Sequence, residues 1–381
     1  MSEYQYYEFK AVDKPLSEKD MKALRNISTR ARITPTSFVN EYNWGDFKGN
    51  PRKLVEKYFD TFLYVANWGT HWFMLKVPRN VINVDLATQY CIGESAIIYE
   101  KGEHLIFEFL SETDDFEWEE GENWLSSMIS LRADIISGDL SSLYLAWLFC
   151  AQMEEIDDNA LEPPVPPNLD VISAPLKSFV DFMRIDTDLI AIAAENSERT
   201  DPKANNQALK TWIENLPEGE KNDILFRLIG ENSPHLGTEL RLRFQQSVSD
   251  KGISPATEKL RTVENLLTSA ETYAEDRRRK IAEQKAKERA LREHTRAIAR
   301  EKYLDSLAGR EKKVWIKIEN IINTRQPGKY DEAVKLLVDL RDLSKKMNKA
   351  KTFDEKLKKI CETHIRKSTF LSRLKKVDLG V

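Results

Sequence analysis

The first hundred residues alternate between aromatic-rich stretches and short amphipathic ones. Residues 4–12, 33–42 and 62–77 are rich in aromatic and β-branched side chains, which favours strands. Two further apolar runs meet at Lys101-Gly102, which is typical of a hairpin turn. The pattern predicts the order β-α-β-α-β-α-β-β and therefore an α+β domain over residues 1–111, with a split β-α-β sandwich as one arrangement of it.

The pattern changes to helical spacing after an acidic link at residues 112–122. Apolar residues then recur every three or four positions, which predicts a helical domain over residues 123–250. Within it, residues 161–167 hold four prolines in five positions and favour polyproline II. Such a segment can be a stiff spacer or a ligand for an aromatic groove. We expect a spacer, because no basic residue flanks it.

One stretch, residues 256–308, contains neither proline nor glycine and predicts a single long helix. Ser254 suits its N-cap and Pro255 its first helical position. At 1.5 Å per residue an unbroken helix would be about 80 Å long. Residues 260–274 carry apolar side chains at heptad positions, and charge replaces them further on, so a sustained coiled coil is not expected. The apolar part should dock or pair, with a homo-oligomer through residues 260–274 as one outcome.

The last segment, residues 310–381, predicts at least three more helices. Apolar residues line each of them, and Gln326-Pro327-Gly328 separates the first from the second. The second, with its Tyr-Asp-Glu-Ala-Val-x-Leu-Leu sequence, and the shorter helix after it are built like a tetratricopeptide-type pair. One pair is not an array, so we expect a small helical module. The whole chain is thus an α+β domain followed by a mainly helical remainder with one long charged helix.

Composition adds an electrostatic division to this picture. The 381 residues carry a net charge of -4, but the first 250 account for -18 and the rest for +14. Three cysteines far apart do not make a disulfide framework. The first residues lack the features of a signal peptide, and the most apolar window is far shorter than the roughly 20 residues that span a bilayer. We expect a cytoplasmic protein without a membrane segment.

The basic part of the long helix is the first candidate binding surface. A row of Lys and Arg can neutralise phosphates and so bind nucleic acid without reading its sequence. An acidic protein partner could be bound in the same way. The residues that we expect at such a contact are Arg277, Arg278, Arg279, Lys280, Lys285, Arg289, Arg292, Arg296 and Arg300.

A solvated helix that serves as a spacer or as a partner-binding element is the favoured alternative. Such a helix is stabilised by ion pairs three or four residues apart. Three are expected here: Glu283 with Lys287, Glu288 with Arg292, and Glu293 with Arg296. Aromatic residues, which stack on bases in many nucleic-acid sites, occur only at the edges of the basic part, at Tyr273 and Tyr303.

A repeated tripeptide is the second candidate. Asn-Trp-Gly occurs at residues 43–45 and again at 67–69. Trp44 and Trp68 could form a paired aromatic platform for a ligand. The alternative, which we favour, is that each glycine permits a turn while the tryptophan packs beside it.

Catalytic and metal chemistry have weak signals. Only Cys361 and His364 lie close enough to share a helix face, and zinc needs three or four ligands. Cys91 with His104 could be imagined as a nucleophile and base, but buried cysteines are common core residues. The acidic clusters at 114–120 and 154–158 are typical of solvated loop ends. No nucleotide-binding glycine motif is present. We therefore expect no catalytic residue, no metal and no cofactor.

Two stretches resemble known families. Residues 4–9 (Tyr-Gln-Tyr-Tyr-Glu-Phe), 32–36 (Arg-Ile-Thr-Pro-Thr), 43–45 and 161–167 resemble a family of uncharacterised bacterial cytoplasmic proteins, which implies no particular activity. Residues 329–343, together with 364–367 (His-Ile-Arg-Lys) and the pair Leu371 and Leu374, are similar to the helical tail of bacterial SWIM zinc-finger proteins. The Cys-x-Cys and Cys-x-His elements of that finger are absent. The second resemblance therefore implies a helical interaction module without the finger's nucleic-acid role.

These observations predict a non-catalytic interaction or scaffold protein whose helical modules bind a protein partner of unknown identity. One alternative is a nucleic-acid-associated protein that grips phosphates through residues 277–302. Another is an enzyme with a site hidden in the α+β domain. The long helix is the element on which the first two differ.

Overall fold

The structure is a computed structural model that describes residues 3–114, 119–199, 202–230, 236–249 and 261–379. Of residues 202–206 and of a few positions between 238 and 249 only the backbone is described. The chain divides into two compact units, Met1–Arg277 and Arg278–Val381. The expected helix start at Ser254 and Pro255 lies outside the described residues.

The first unit is built on a seven-stranded sheet in the order β2-β3-β1-β4-β5-β7-β6. Its strands are β1 Gln5–Lys10, β2 Arg32–Thr34, β3 Ser37–Tyr42, β4 Thr61–Ala66, β5 His71–Pro78, β6 Ala96–Lys101 and β7 His104–Ser111. Every pairing between neighbouring strands is antiparallel. The sheet nevertheless contains two split β-α-β units: β1 and β2 are parallel with β3 between them and are joined through the helix Glu18–Ile27, and β5 and β6 are parallel with β7 between them and are joined through the helix Val84–Tyr90. The stretches 33–42 and 62–77, each predicted as one strand region, are both hairpins. The hairpin at Lys101-Gly102 is confirmed.

Helices cover both faces of the sheet because the strands alternate apolar residues between the faces. Phe62 and Tyr64 pack on one side with Leu24, and Leu63 and Val65 pack on the other with Leu143. The helices are α1 Glu18–Ile27, α2 Pro51–Lys57, α3 Val84–Tyr90, α4 Trp124–Met128, α5 Leu131–Ile136, α6 Ser141–Gln152, α7 Ala174–Met183, α8 Thr187–Ala193, α9 Pro202–Asn215, α10 Glu218–Gly230 and α11 Leu236–Ser249.

The larger of the two cores joins sheet and helices into one body. It contains strand residues from β4, β5 and β7 together with α4 to α8. Residues 1–111 and 123–199, which the sequence pattern divided between two domains, therefore share a core. Helix α6 is central to it, since its residues from Ser141 to Ala151 are all buried.

The proline-rich segment packs against this body and does not act as a spacer between domains. Pro163 and Pro166 are buried. The Tyr90 hydroxyl donates a hydrogen bond of 2.6 Å to the carbonyl of Pro164, and the Ser197 hydroxyl donates one of 2.7 Å to that of Pro166. A proline carbonyl remains a good acceptor although proline lacks an N–H, so the segment can be held along its length.

The second unit contains helices only, among its described residues. Helix α12, Val263–Leu307, begins in the first unit and ends in the second, and it is followed by α13 Glu311–Asn323, α14 Tyr330–Lys346, α15 Ala350–Thr363 and α16 Ser368–Lys375. Helices α13, α15 and α16 all pack against α14. The fold class is confirmed: an α+β region precedes a helical remainder with one long charged helix. Within the described residues, no helix combines the length and apolar character needed to cross a membrane.

Candidate functional site

Helix α12 starts later than predicted because the residues before it pair with another segment. Arg261 and Thr262 are extended, and Thr262 forms a β-bridge with Leu161. The Arg261 guanidinium donates to both carboxylate oxygens of Glu162 at 2.8 Å, and Glu162 also accepts from the Tyr144 hydroxyl at 2.5 Å. The ion pair is buried, with side-chain exposures of 16% and 4%. Residues 256–260 lie outside the described part of the chain.

The first third of α12 docks on the larger core of its own unit. Val263, Leu266, Ala270 and Ala274 are buried, at spacings of three or four residues that put them on one side of the helix. Three of the apolar side chains expected to mediate pairing through 260–274, Val263, Ala270 and Ala274, are thus buried within the chain, whereas Leu267 is half-buried. A homo-oligomer through this segment stays a prediction. Leu260 lies outside the described residues.

Arg277 closes this docked part. Its guanidinium donates to the carboxylate of Asp188 at 2.7 Å, and Asp188 is itself buried. Arg277 is therefore occupied within its own unit.

Beyond this point the helix is surrounded by solvent. Every residue from 278 to 299 is exposed, including Ile281, Leu291 and Ile298. The helix continues without a break to Leu307, and Leu304 is the first buried residue after the exposed stretch.

Six of the nine predicted basic residues lie on one side of this exposed helix. With 3.6 residues per turn, their successive spacings of seven, four, three, four and four place them within an arc of about 80°. We call this surface the basic stripe, and its members are Arg278, Lys285, Arg289, Arg292, Arg296 and Arg300. The same geometry directs Arg277, Arg279 and Lys280 away from it.

The ion pairs along the helix differ from those expected. None of the three predicted pairs is formed among the described residues; Glu293 pairs instead with Arg289, at 3.1 Å. Arg300 is bound to α14, where it pairs with Asp339 and, at 2.8 Å, with Asp342. In the described part of the chain, Arg278, Lys285, Arg292 and Arg296 have no carboxylate within ion-pair distance. These four cations of the stripe are available to a partner.

The unit that carries the stripe is strongly basic. Residues 278–381 contain 30 Lys and Arg against 15 Asp and Glu, a net charge of +15, which leaves -19 for the first 277 residues. A net charge of this size raises the local concentration of anionic partners and speeds their association.

The two Asn-Trp-Gly turns prove to be part of a longer repeat. Strands β3 and β4 both flank β1, and Gln5 faces Tyr42 on one side and Ala66 on the other. The same 24-residue offset holds at the far end, where Lys10 faces Ser37 and Thr61. Both strands therefore end together, and each runs into an Asn-Trp-Gly turn at the start of β1. The structure brings Trp44 and Trp68 to one end of the sheet.

Glycine is required in both turns. Gly45 has a φ of 78° and Gly69 a φ of 90°, a region that residues with a side chain rarely adopt. A Cβ at Gly69 would also lie 2.0 Å from the carbonyl oxygen of Thr113. The tryptophans differ: Trp44 is 70% exposed with the Arg30 guanidinium 5.7 Å from its ring centroid, and Trp68 is 39% exposed. A ligand platform at this pair stays a prediction.

The two residues considered as a nucleophile and base, Cys91 and His104, both have shifted pKa values. Burial raises the pKa of the Cys91 thiol to about 12, so the nucleophilic thiolate is scarce at neutral pH. Burial, together with the positive charge of Lys76, lowers the pKa of His104. Among the described residues, no group of three or more His, Cys, Asp or Glu is arranged to hold a metal ion. His235 and the acidic residues Asp115 and Glu117 lie outside them.

A buried polar network around His71 was not anticipated from the sequence. His71 Nδ1 lies 2.7 Å from the carbonyl oxygen of Phe182, and Nε2 lies 3.0 Å from the Glu119 carboxylate and 3.1 Å from the Arg184 guanidinium. Arg184 also donates to the carbonyl of Gly69 and the hydroxyl of Ser111, each at 3.1 Å. The network ties the end of α7 to strands β5 and β7. His71 is 111 residues from Phe182 and 113 from Arg184 along the chain, so no local pattern could reveal the network.

Comparisons of the chain with protein-family models, with curated proteins and with solved structures found no match. Among the candidate surfaces of this chain, the basic stripe has the most definite chemistry.

Proposed function

We propose that this protein is a non-catalytic interaction protein and that α12 binds the phosphate backbone of a nucleic acid through the basic stripe. The observation that carries the proposal is the set of four exposed cations, Arg278, Lys285, Arg292 and Arg296, on one side of the helix and without ion-pair partners among the described residues. They extend over about 27 Å of helix at 1.5 Å per residue. The cellular setting that we propose with this function is the cytoplasm.

The shape of the stripe favours a duplex over a single strand. Proteins that bind single strands add aromatic side chains on which bases stack. Between Arg278 and Arg296 the sequence has no Phe, Tyr or Trp. Duplex DNA presents one negative charge per about 1.7 Å of axis, so a row of cations along 27 Å meets several phosphates at once. Such contacts give affinity without sequence preference.

A solvated spacer is the competing interpretation, and the distribution of charge argues against it. A helix that serves only as a spacer gains from cations and anions interleaved on all sides. Here the four glutamates between 278 and 301 are scattered around the helix, whereas the arginines concentrate on one side. Two of the six stripe members, Arg289 and Arg300, are engaged in observed ion pairs, and the other four are not.

The test compares two triple variants that remove the same charge from the same helix. The first replaces Lys285, Arg292 and Arg296, all on the stripe, with alanine. The second, its matched control, replaces Lys280, Lys287 and Lys302, which helical geometry places on the opposite side. All six side chains are exposed, so neither triple variant should disturb the fold.

The measurement is the anisotropy of a fluorescently labelled DNA duplex, titrated with the full chain at several salt concentrations. Each neutralised phosphate contributes about -0.9 to the slope of log K against log salt, so four cations predict a slope near -3.6. The stripe variant should lose about 2.7 of this slope because three contacts are gone. The control should keep the slope of the natural chain. Equal losses in both variants would show that only net charge matters and would overturn the proposal.

A protein partner is the second candidate function, and one specific feature favours it. The second unit has an apolar groove with a basic rim, separate from the stripe.

A further inference from the structure

A groove crosses the surface of the second unit between α13 and α15. Both helices pack against α14, and the space left between them has a volume of about 540 Å³. The groove continues on the other side of Trp315 and Lys356 as a smaller cavity of about 240 Å³ that reaches Leu343 of α14 and Met347, which directly follows this helix.

The floor of the groove is apolar and contains an aromatic ring. Trp315 is half-buried and packs at 5.6 Å between ring centroids against Phe353, which is buried. Ile360 is buried beside them, while Ile316 on the rim is 59% exposed. The exposed part of the Trp315 ring offers a flat apolar face to a ligand. Binding costs little conformational entropy because the packing against Phe353 already restricts the side chain.

The rim is basic. Lys312, Lys349, Lys356 and Lys359 line the two cavities and are exposed, against two glutamates, Glu311 and Glu319. None of the four lysines has a carboxylate within ion-pair distance among the described residues. The Lys356 ammonium lies 5.7 Å from the ring centroid of Trp315, so the cationic rim and the aromatic floor meet there.

We propose that this groove binds an acidic amphipathic helix of a partner protein. An amphipathic helix presents apolar residues three and four positions apart, which suits an elongated apolar floor. Carboxylates on its flanks would meet the four lysines of the rim, and this complementarity selects an acidic partner over a neutral one. Exposed Ile316 and buried Ile360 favour an aliphatic side chain, which a nucleic acid does not have. The proposal is independent of the basic stripe.

The probe is a labelled synthetic peptide whose leucines are three and four positions apart, so that they form one face of a helix, and whose glutamates flank that face. Its control is a peptide of identical composition whose order destroys the apolar face. Binding to the full chain is followed by fluorescence anisotropy. We expect the amphipathic peptide to bind at least tenfold more tightly than the reordered one, because the net charges are equal and only the apolar face differs.

Matched variants on a single helix locate the site. Lys356→Glu with Lys359→Glu changes the rim of the groove, whereas Lys351→Glu with Lys358→Glu makes the same charge change elsewhere on α15. All four lysines are exposed, so the helix should persist in both variants, which circular dichroism checks. The groove variant should bind the peptide at least tenfold more weakly, and the control variant should lose less than threefold. Ile316→Ser should weaken binding as well while leaving the charge unchanged.

Three outcomes would overturn the proposal. Equal affinity for the two peptides would mean that charge alone is recognised. Equal losses in both double variants would place the contact elsewhere. Displacement of the peptide by a DNA duplex, with both ligands weakened by the groove variant, would make the groove part of a nucleic-acid surface. The stripe variant should leave peptide binding unchanged, so failure here and failure of the nucleic-acid proposal are distinguishable.

Discussion

Helix α12 contains two segments that differ in every respect except backbone conformation. In residues 263–277 an apolar residue is buried at every third or fourth position, and the segment ends on the ion pair between Arg277 and buried Asp188. In residues 278–299 every side chain is exposed. The helical ladder crosses from one to the other without interruption. The helix therefore continues through residues 278–299 without tertiary packing to stabilise it.

Local energetics explain the continuity. The exposed segment is composed mainly of Ala, Glu, Lys and Arg, the residues with the highest intrinsic helix propensity. Nucleation is the unfavourable step in helix formation, and here both ends of the segment extend helices that are already packed. The exposed segment needs only propagation. The side chains of the exposed segment are consequently available for binding a partner, whereas those of the docked segment are required for packing against the core.

The largest effect is expected from the ion pair that precedes the docked segment. Arg261→Met leaves the Glu162 carboxylate buried without its partner, which should lower the free energy of unfolding by about 3 to 5 kcal/mol. Denaturant unfolding followed by tryptophan fluorescence measures the loss. Arg289→Met on the exposed segment is the control and should cause no measurable change. A loss below about 1 kcal/mol for Arg261→Met would mean that the pair is solvated.

A somewhat smaller effect is expected when the same substitution, Leu to Ala, is made in each of the two segments. Leu266 is 0% exposed and Leu291 is 66% exposed on the same helix. Leu266→Ala should cost about 3 kcal/mol, because it removes buried apolar surface and leaves a cavity. Leu291→Ala changes neither and replaces one good helix former with another, so the free energy of unfolding should hardly move. Similar losses at both sites would show that the exposed segment is packed against something in solution.

The sequence pattern predicted the course of α12 well and the proline segment poorly. The apolar heptad positions end near Arg277, which is also where the buried part of the helix ends. The two coincide because a helix carries an apolar stripe where one of its sides packs against a core. Polyproline composition predicts an extended backbone but not what covers it. Tyr90 and Ser197, whose hydroxyls donate to Pro164 and Pro166, are 74 and 31 residues away from them along the chain.

The surfaces proposed for binding were partly readable from the sequence. The spacing of seven, four, three, four and four in the basic stripe is present in the residue numbers, and a helical projection would have found it. The groove was not readable, because Trp315, Leu343 and Lys356 come from successive helices whose packing decides whether a gap remains between them. In the sequence, the repeat that includes β3 and β4 was visible only as the tripeptide Asn-Trp-Gly. The strand register shows that the same 24-residue offset holds along the whole of both strands.

The smallest expected effect concerns the tether at the far end of the exposed segment. Asp342 accepts hydrogen bonds from Arg300 of α12 and from Arg341. Burial alone would raise the pKa of the Asp342 carboxyl, but these two arginines outweigh it and hold the pKa below its ordinary value of 3.8. A carboxylate whose folded-state pKa is lowered stabilises the fold above pH 3.8, and that contribution is lost as the pH falls further.

Asp342→Asn should therefore lower the Tm modestly at neutral pH, with the difference from the natural chain shrinking as the pH falls below 3.8. Thermal unfolding by circular dichroism between neutral and strongly acid pH gives the comparison. Asp354→Asn, at an exposed position of α15, is the control and should shift the Tm little at any pH. If the Asp342→Asn difference stayed constant across this range, the tether would not depend on the carboxylate charge. The exposed segment of α12 would then be held at this end by the packing of Leu304 rather than by its arginine.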